Sequence, residues 1–170
     1  MPRTSTHALA VARPVIRGLI LLNALYALAI AGLLVYSFFI DGWPQRPLGF
    51  DLVHAHPHAG LGVRAIVVVG LAGAAIVYTI LRRLLAIVDT VHVGDPFILE
   101  NARRLNAIAW SVAALEGLRL IVAGIAAAVW EAGKVDAFSF AAWLAVLLLF
   151  VLAGVFAHGA QMRADLEGTV

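Results

Sequence analysis

The sequence predicts an all-α integral membrane protein, a four-helix bundle with a short cytoplasmic helix between its second and third spans. Three observations predict this. Four apolar runs, residues 15–40, 61–85, 106–130 and 138–157, divide the chain. Each reaches the ~20 residues needed to cross a hydrocarbon core about 30 Å thick at 1.5 Å rise per residue. The 170 residues are 63% hydrophobic and 13% charged, too little polar surface to cover a water-soluble core of this length. A charged segment, Arg82 to Arg104, separates the second run from the third. The connections left over are short, so residues 1–170 read as a single four-span domain.

The first run has a basic start, with Arg13 and Arg17 flanking Pro14. Its apolar stretch of about 23 residues exceeds the ~7–15 of a signal-peptide core. No clear small-residue cleavage site follows at Trp43-Pro44, so the run is expected to stay as the first span. The connection 41–60 then carries Gly42, Pro44, Pro47, Gly49, Pro57 and Gly60, all helix breakers, and is expected to be an irregular outer loop. Trp43, Phe50, Trp130 and Trp143 suit the headgroup region.

The same loop holds His54, His56 and His58. Alternating imidazoles on an extended segment share one face and suit zinc or copper, but Pro57 stiffens the backbone between them. There is no cysteine to assist, and Asp51 is the nearest carboxylate. The plainer expectation is a polar interfacial loop, so no metal and no cofactor is assigned. The lack of cysteine also excludes disulfides and thiolate catalysis.

After the second span, Gly94-Asp95-Pro96 breaks the helix. Asp95 is placed to cap the next one, and Pro96 suits a first helical position because its missing N–H costs nothing there. Glu100 is spaced to pair with Arg103 and Arg104. In the third span, Glu116 and Arg119 fall near the bilayer centre. A lone charge there costs at least ~2.5–3.5 kcal/mol, so the two are expected to pair or to face protein. Asn23, Tyr26, Tyr78 and Thr79 are the nearby polar side chains available to them. Ala113, Gly117, Gly124 and Ala128 form a small-residue stripe on the same helix, which predicts close approach of a neighbour. The fourth run follows a short connection and is expected to be an antiparallel neighbour of the third, continuing through Gln161 and Met162.

Basic residues set the orientation. One side collects Arg3, Arg13, Arg17, Arg82, Arg83, Arg103, Arg104 and Arg163, the other only Arg46, Arg64 and Lys134. Both termini and the central segment are therefore expected in the cytoplasm. The net charge of +2 reflects these span ends, and no basic run stands apart to bind nucleic acid directly.

Residues 94–105, Gly-Asp-Pro-Phe-Ile-Leu-Glu-Asn-Ala-Arg-Arg-Leu, resemble the signature G-x-P-F-x-x-E-N-x-x-R-L of the bacterial four-span family catalogued as Domain of Unknown Function 2975. The tail, residues 155–170, is similar to that family's ending, with its Gly-Ala, acidic stretch and Thr-Val terminus. The resemblance implies a multi-pass protein of the bacterial inner membrane with no established enzymatic activity. Members are often encoded beside small helix-turn-helix transcription regulators. This implies a membrane sensor or anchor for such a regulator, with Phe97, Glu100, Asn101, Arg103 and Arg104 as the candidate contact surface. Phe97 is equally suited to packing on the bundle.

The alternative is a small transporter or channel component built around Glu116 and Arg119, as a homo-oligomer because four spans leave little room for a pathway. Transporters usually show broken helices and a more polar lining at the midplane. An enzyme is the weakest reading, since no H-E-x-x-H, nucleophile elbow or phosphate-binding glycine loop is present.

Overall fold

The computed structural model describes residues 4–40, 43, 59–94, 96–130 and 139–167. They form four helices: α1 (Thr4–Tyr36), α2 (Ala59–Val93), α3 (Leu99–Trp130) and α4 (Phe140–Glu167). No strand occurs among the described residues. All four helices are long and apolar enough to cross a membrane. The loop histidines His54, His56 and His58, and Asp95, lie outside the described residues.

The helices pack in chain order, α1 on α2, α2 on α3 and α3 on α4. Each neighbouring pair is antiparallel, as the contacts show: Arg13 meets Asp89 while Ser37 meets Arg64, Thr90 meets Asn101 while Arg83 meets Ala107, and Phe97 meets Phe156 while Trp110 meets Phe150. The start of α1, the α2–α3 turn and the end of α4 therefore share one end of the molecule, called here the motif end. The core lies toward that end, where Ile87 of α2, Leu105 and Ile108 of α3 and Ala153 of α4 come together. Having neighbours on both sides, α3 carries much of the buried apolar set, with Ala109 fully buried. Elsewhere large apolar side chains such as Leu21, Leu22 and Leu28 point outward, as they do when the surroundings are lipid.

Lipid supplies no hydrophobic drive between helices, so specific ties matter more. Between α1 and α2, Arg13 pairs with Asp89 through a 2.6 Å hydrogen bond at the motif end. Midway along, Asn23 Nδ2 donates to the Ala74 carbonyl at 3.0 Å. At the far end, Arg64 donates to the Ser37 carbonyl at 2.6 Å and stacks 4.5 Å from the Phe38 ring centroid. A guanidinium there satisfies a carbonyl left over at the α1 C-terminus and opposes the helix dipole. Between α2 and α3, Arg83 donates to the Ala107 carbonyl at 3.2 Å and to Ser111 Oγ at 2.9 Å. Between α3 and α4, Trp110 meets Phe150 edge to face at 5.3 Å.

Helix boundaries differ from those expected, for local reasons. At the start of α4, Ser139 Oγ accepts from the Ala142 N–H, an N-cap that sets the first helical residue at Phe140. The small-residue stripe does not draw a neighbour close: nothing lies within 4 Å of a Cβ built on Gly117 or Gly124. Close approach falls elsewhere, at Gly62, where a Cβ would sit 2.7 Å from Val129 Cγ2.

The separate cytoplasmic helix between spans two and three is not observed. Residues 96–98 are non-helical, and α3 runs unbroken from Leu99 into the third span. Pro96 is accordingly not a first helical residue. The physical reason lies in the turn itself.

Candidate functional site

The α2–α3 turn begins at Gly94, whose φ of 97° ends α2 in the left-handed region. A side chain is disfavoured there, which explains a glycine one residue past the last helical position. The Gly94 N–H closes back on the Val91 carbonyl at 3.1 Å. Pro96, Phe97 and Ile98 are non-helical. The Ile98 carbonyl accepts from the Asn101 N–H at 3.0 Å and opens α3.

Asn101 holds this turn together. Its side chain is fully buried. Nδ2 donates both to Thr90 Oγ1 on α2, at 2.7 Å, and to the Pro96 carbonyl, at 3.0 Å. Oδ1 accepts from Arg104 at 2.9 Å. Two donors and one acceptor of the amide are thus engaged, across α2, the turn and α3. With the Pro96 carbonyl engaged by a side chain, residues 96–98 stay non-helical and the helix begins at Leu99. Thr90 passes the link on by donating to the Ile87 carbonyl at 2.7 Å.

The other motif residues divide by role. Arg104 is three-quarters buried and also lies 3.7 Å from Glu100. Arg103 points outward, its side chain 71% exposed, with Glu100 at 3.9 Å. Phe97 packs on Phe156 of α4 with ring centroids 5.1 Å apart. Gly159 permits this contact, since a Cβ there would lie 3.1 Å from Phe97 Cδ1. The ring is still 45% exposed and divides two grooves. One, about 330 Å³, runs over Ile98, Leu99, Gln161 and Ala164. The other, about 670 Å³, runs along α4 from Val151 to Met162. Of the expected contact surface, Phe97, Glu100 and Arg103 are outward, whereas Asn101 and Arg104 are mainly turned into the fold.

Glu116 and Arg119 do pair within α3, at 3.3 Å. Glu116 is the more enclosed, its side chain 14% exposed against 37% for Arg119. Arg119 also lines a groove of about 480 Å³ between α1, α2 and α3, together with Asn23, Tyr26 and Gly70. Asn23 and Tyr26 thus share this groove with Arg119, while the Asn23 amide donates to the Ala74 carbonyl. Tyr78 and Thr79 do not: Tyr78 takes a hydrogen bond from Arg82 at 3.4 Å, and Thr79 bonds the Ile76 carbonyl of its own helix.

Among the described residues, no three His, Asp or Glu side chains gather as a metal site would require. Sequence reasoning missed Thr90, Arg13, Asp89, Arg64 and Ser37, which do much of the interhelix bonding. Thr90 and Asp89 lie past the run 61–85, in the charged segment, where a polar side chain is unremarkable and its partner is set only by packing.

No curated protein matches the chain. No solved structure matches it either. A family model described as "Protein of unknown function (DUF2975)" matches residues 24–170, which takes in the last three helices, the C-terminal part of α1 from residue 24 and the whole of the turn built on Asn101. The chain belongs to the DUF2975 family of proteins of unknown function.

Proposed function

We propose that this protein is a non-enzymatic membrane sensor or anchor whose α2–α3 turn faces the cytoplasm and holds a helix-turn-helix transcription regulator. The observation that carries this reading is the division of the motif. Asn101 and Arg104 secure the turn, which leaves Phe97, Glu100 and Arg103 presented outward, with Phe97 on the wall of the 330 Å³ groove. Arg103 is 71% exposed, with only Glu100 of its own helix 3.9 Å away, and is open to a partner at the surface. The excess of arginines at this end supports a cytoplasmic, inner-membrane orientation with both termini inside. A tilt of α2 against α3 would pass through the Thr90–Asn101 link into the turn and shift the presented residues.

The test is affinity capture from native membranes with the intact protein, an Arg103→Ala variant and an Arg17→Ala variant. Arg17 is an exposed arginine near the same end on α1, away from the turn. The expected result is a DNA-binding protein recovered with the intact and Arg17→Ala forms and lost with Arg103→Ala. Recovery that is equal in all three, or absent in all three, rejects the reading.

A second reading, a transporter or channel component, has one observation in its favour: Arg119, Asn23 and Tyr26 line a common intramembrane groove. It is distinguished by where substitution matters. Flux lost with Arg119→Met but kept with Arg103→Ala would select it.

A further inference from the structure

We infer that the groove between α1 and α3 is a binding site for a lipid-soluble quinone. Helices α1 and α3 each pack on α2 and, among the described residues, not on one another. The cleft left between them holds about 480 Å³, with α2 as its floor. That volume lies in the range of small-molecule sites. The floor is low because Gly70, Gly73 and Ala74 line it. From Ile66 to Val77 the groove follows α2 for about 16 Å at 1.5 Å per residue.

Depth decides what can enter. Tyr26 stands nine residues after Arg17 and eleven before Ser37, about 14 Å and about 17 Å along α1. Gly73 lies nine residues from both Arg64 and Arg82, about 14 Å each way along α2. The groove therefore opens near the middle of a hydrocarbon core about 30 Å thick. No headgroup reaches that level, and an acyl chain offers no hydrogen bond. Yet the α1 wall is polar. Tyr26 is 53% exposed, and its hydroxyl has no hydrogen-bond partner among the described residues. A Cβ built on Gly70 would lie 3.8 Å from that oxygen, so the hydroxyl sits over bare α2 backbone within the groove. One turn away, Asn23 gives an amide N–H to the Ala74 carbonyl, and its Oδ1 accepts from no described residue.

A hydroxyl and an amide oxygen in hydrocarbon suit a guest whose own polar atoms sit at mid-membrane. A phospholipid carries its polar atoms at the surface. A quinone carries ring carbonyls on a flat face, joined to a hydrocarbon tail. A ring carbonyl accepts from Tyr26, and the quinol form donates to Asn23. The ring lies on the floor at Gly70 and Gly73, and the tail leaves through the open side into the bilayer. Arg119 on the α3 wall is held by Glu116 and is not the group that recognises the ring. Binding here is independent of whether the α2–α3 turn holds a regulator.

The test compares decylubiquinone with decylbenzene, which has the same tail and no ring oxygen. Binding of each to the full-length protein is measured by microscale thermophoresis at one fixed detergent concentration. The intact protein should bind the quinone saturably and about ten-fold or more tighter than the hydrocarbon. Tyr26→Phe removes one hydrogen bond and should weaken quinone binding about five-fold while leaving the hydrocarbon unchanged. Tyr36→Phe, an exposed position of the same helix outside the groove, should change neither. Gly70→Leu fills the floor beneath Tyr26 and should weaken quinone binding by about ten-fold or more. Equal affinity for the two ligands overturns the proposal, since it would mean partition onto an apolar surface. Equal effects of Tyr26→Phe and Tyr36→Phe overturn it too. So does a protein that binds no quinone but sediments as a dimer that Gly70→Leu breaks, which would make a second copy of the chain the occupant. Each tyrosine change removes a single exposed oxygen, so the test stands even if Gly70→Leu fails to fold.

Discussion

Replacing Asn101 with alanine should loosen the whole motif end. The side chain is fully buried and makes three hydrogen bonds. Their loss is unequal. Arg104 keeps Glu100 at 3.7 Å and is a quarter exposed, so water replaces most of what it loses. Thr90 keeps its bond to the Ile87 carbonyl and gives up one accepted bond, worth about 0.5–1.5 kcal/mol. The Pro96 carbonyl is left unpaired at a cost of about 1–3 kcal/mol. The sum is about 2–4 kcal/mol, which for a chain of this size corresponds to a Tm drop of roughly 5–15 °C. Thermal unfolding in detergent, followed by circular dichroism, measures it. Thr90→Val should cost about 0.5–1.5 kcal/mol alone and add little on top of Asn101→Ala, because the two share one bond. A loss for Asn101→Ala near the ~0.6 kcal/mol average of ordinary bonds between membrane helices would refute the argument. So would full additivity with Thr90→Val. Either outcome would mean that apolar packing, not the amide, shapes the turn.

Other expectations follow from single contacts. Glu116→Gln should lower accumulation in membranes by stranding Arg119, while the double change with Arg119→Met should restore much of it; equal levels for all forms, by immunoblot, would rule out a structural pair. Arg13→Ala and Asp89→Ala should each cost only about 0.2–1 kcal/mol, because both side chains are over a third exposed, and the exchanged pair should recover the loss in thermal unfolding. Gly62→Ala should destabilise by about 1–3 kcal/mol, since its Cβ meets the stiff Val129 side chain at 2.7 Å, whereas Gly117→Ala, facing open space, should be neutral or stabilising in the same assay. Reporter fusions after residue 98 and at both ends of the chain should all read as cytoplasmic; periplasmic activity from any of them breaks the proposed orientation.

The all-helical class and the number of spans were legible in the sequence, because an apolar run of span length has few folded alternatives in water or lipid; the extra short helix read between spans two and three was not borne out. Glu116 with Arg119 was legible too, as two charges three residues apart in an apolar helix have each other as the nearest remedy. The Gly94 break was readable for a comparable reason: a glycine at the end of a helical run suits the left-handed conformation found there. The start of α3 was not. Pro96 and Asp95 carry the local marks of a helix beginning, yet Asn101, five residues on, takes the Pro96 carbonyl and residues 96–98 stay non-helical. A bond of that kind depends on how α2 and α3 face one another, and neither propensity nor spacing reports it.

Local chemistry along the chain therefore determined what is local: four helices, their approximate lengths, the glycine that ends α2 and the charge asymmetry of the span ends. Tertiary structure decided the rest. It fixed the order of packing, the burial of Asn101 beside an outward Arg103, the contact of Phe97 with Phe156 and the close approach of Val129 to Gly62. The physical reason is that lipid solvates every apolar face about equally well. Which faces meet is then left to close packing and to a few hydrogen bonds between residues as distant in the chain as Arg13 and Asp89.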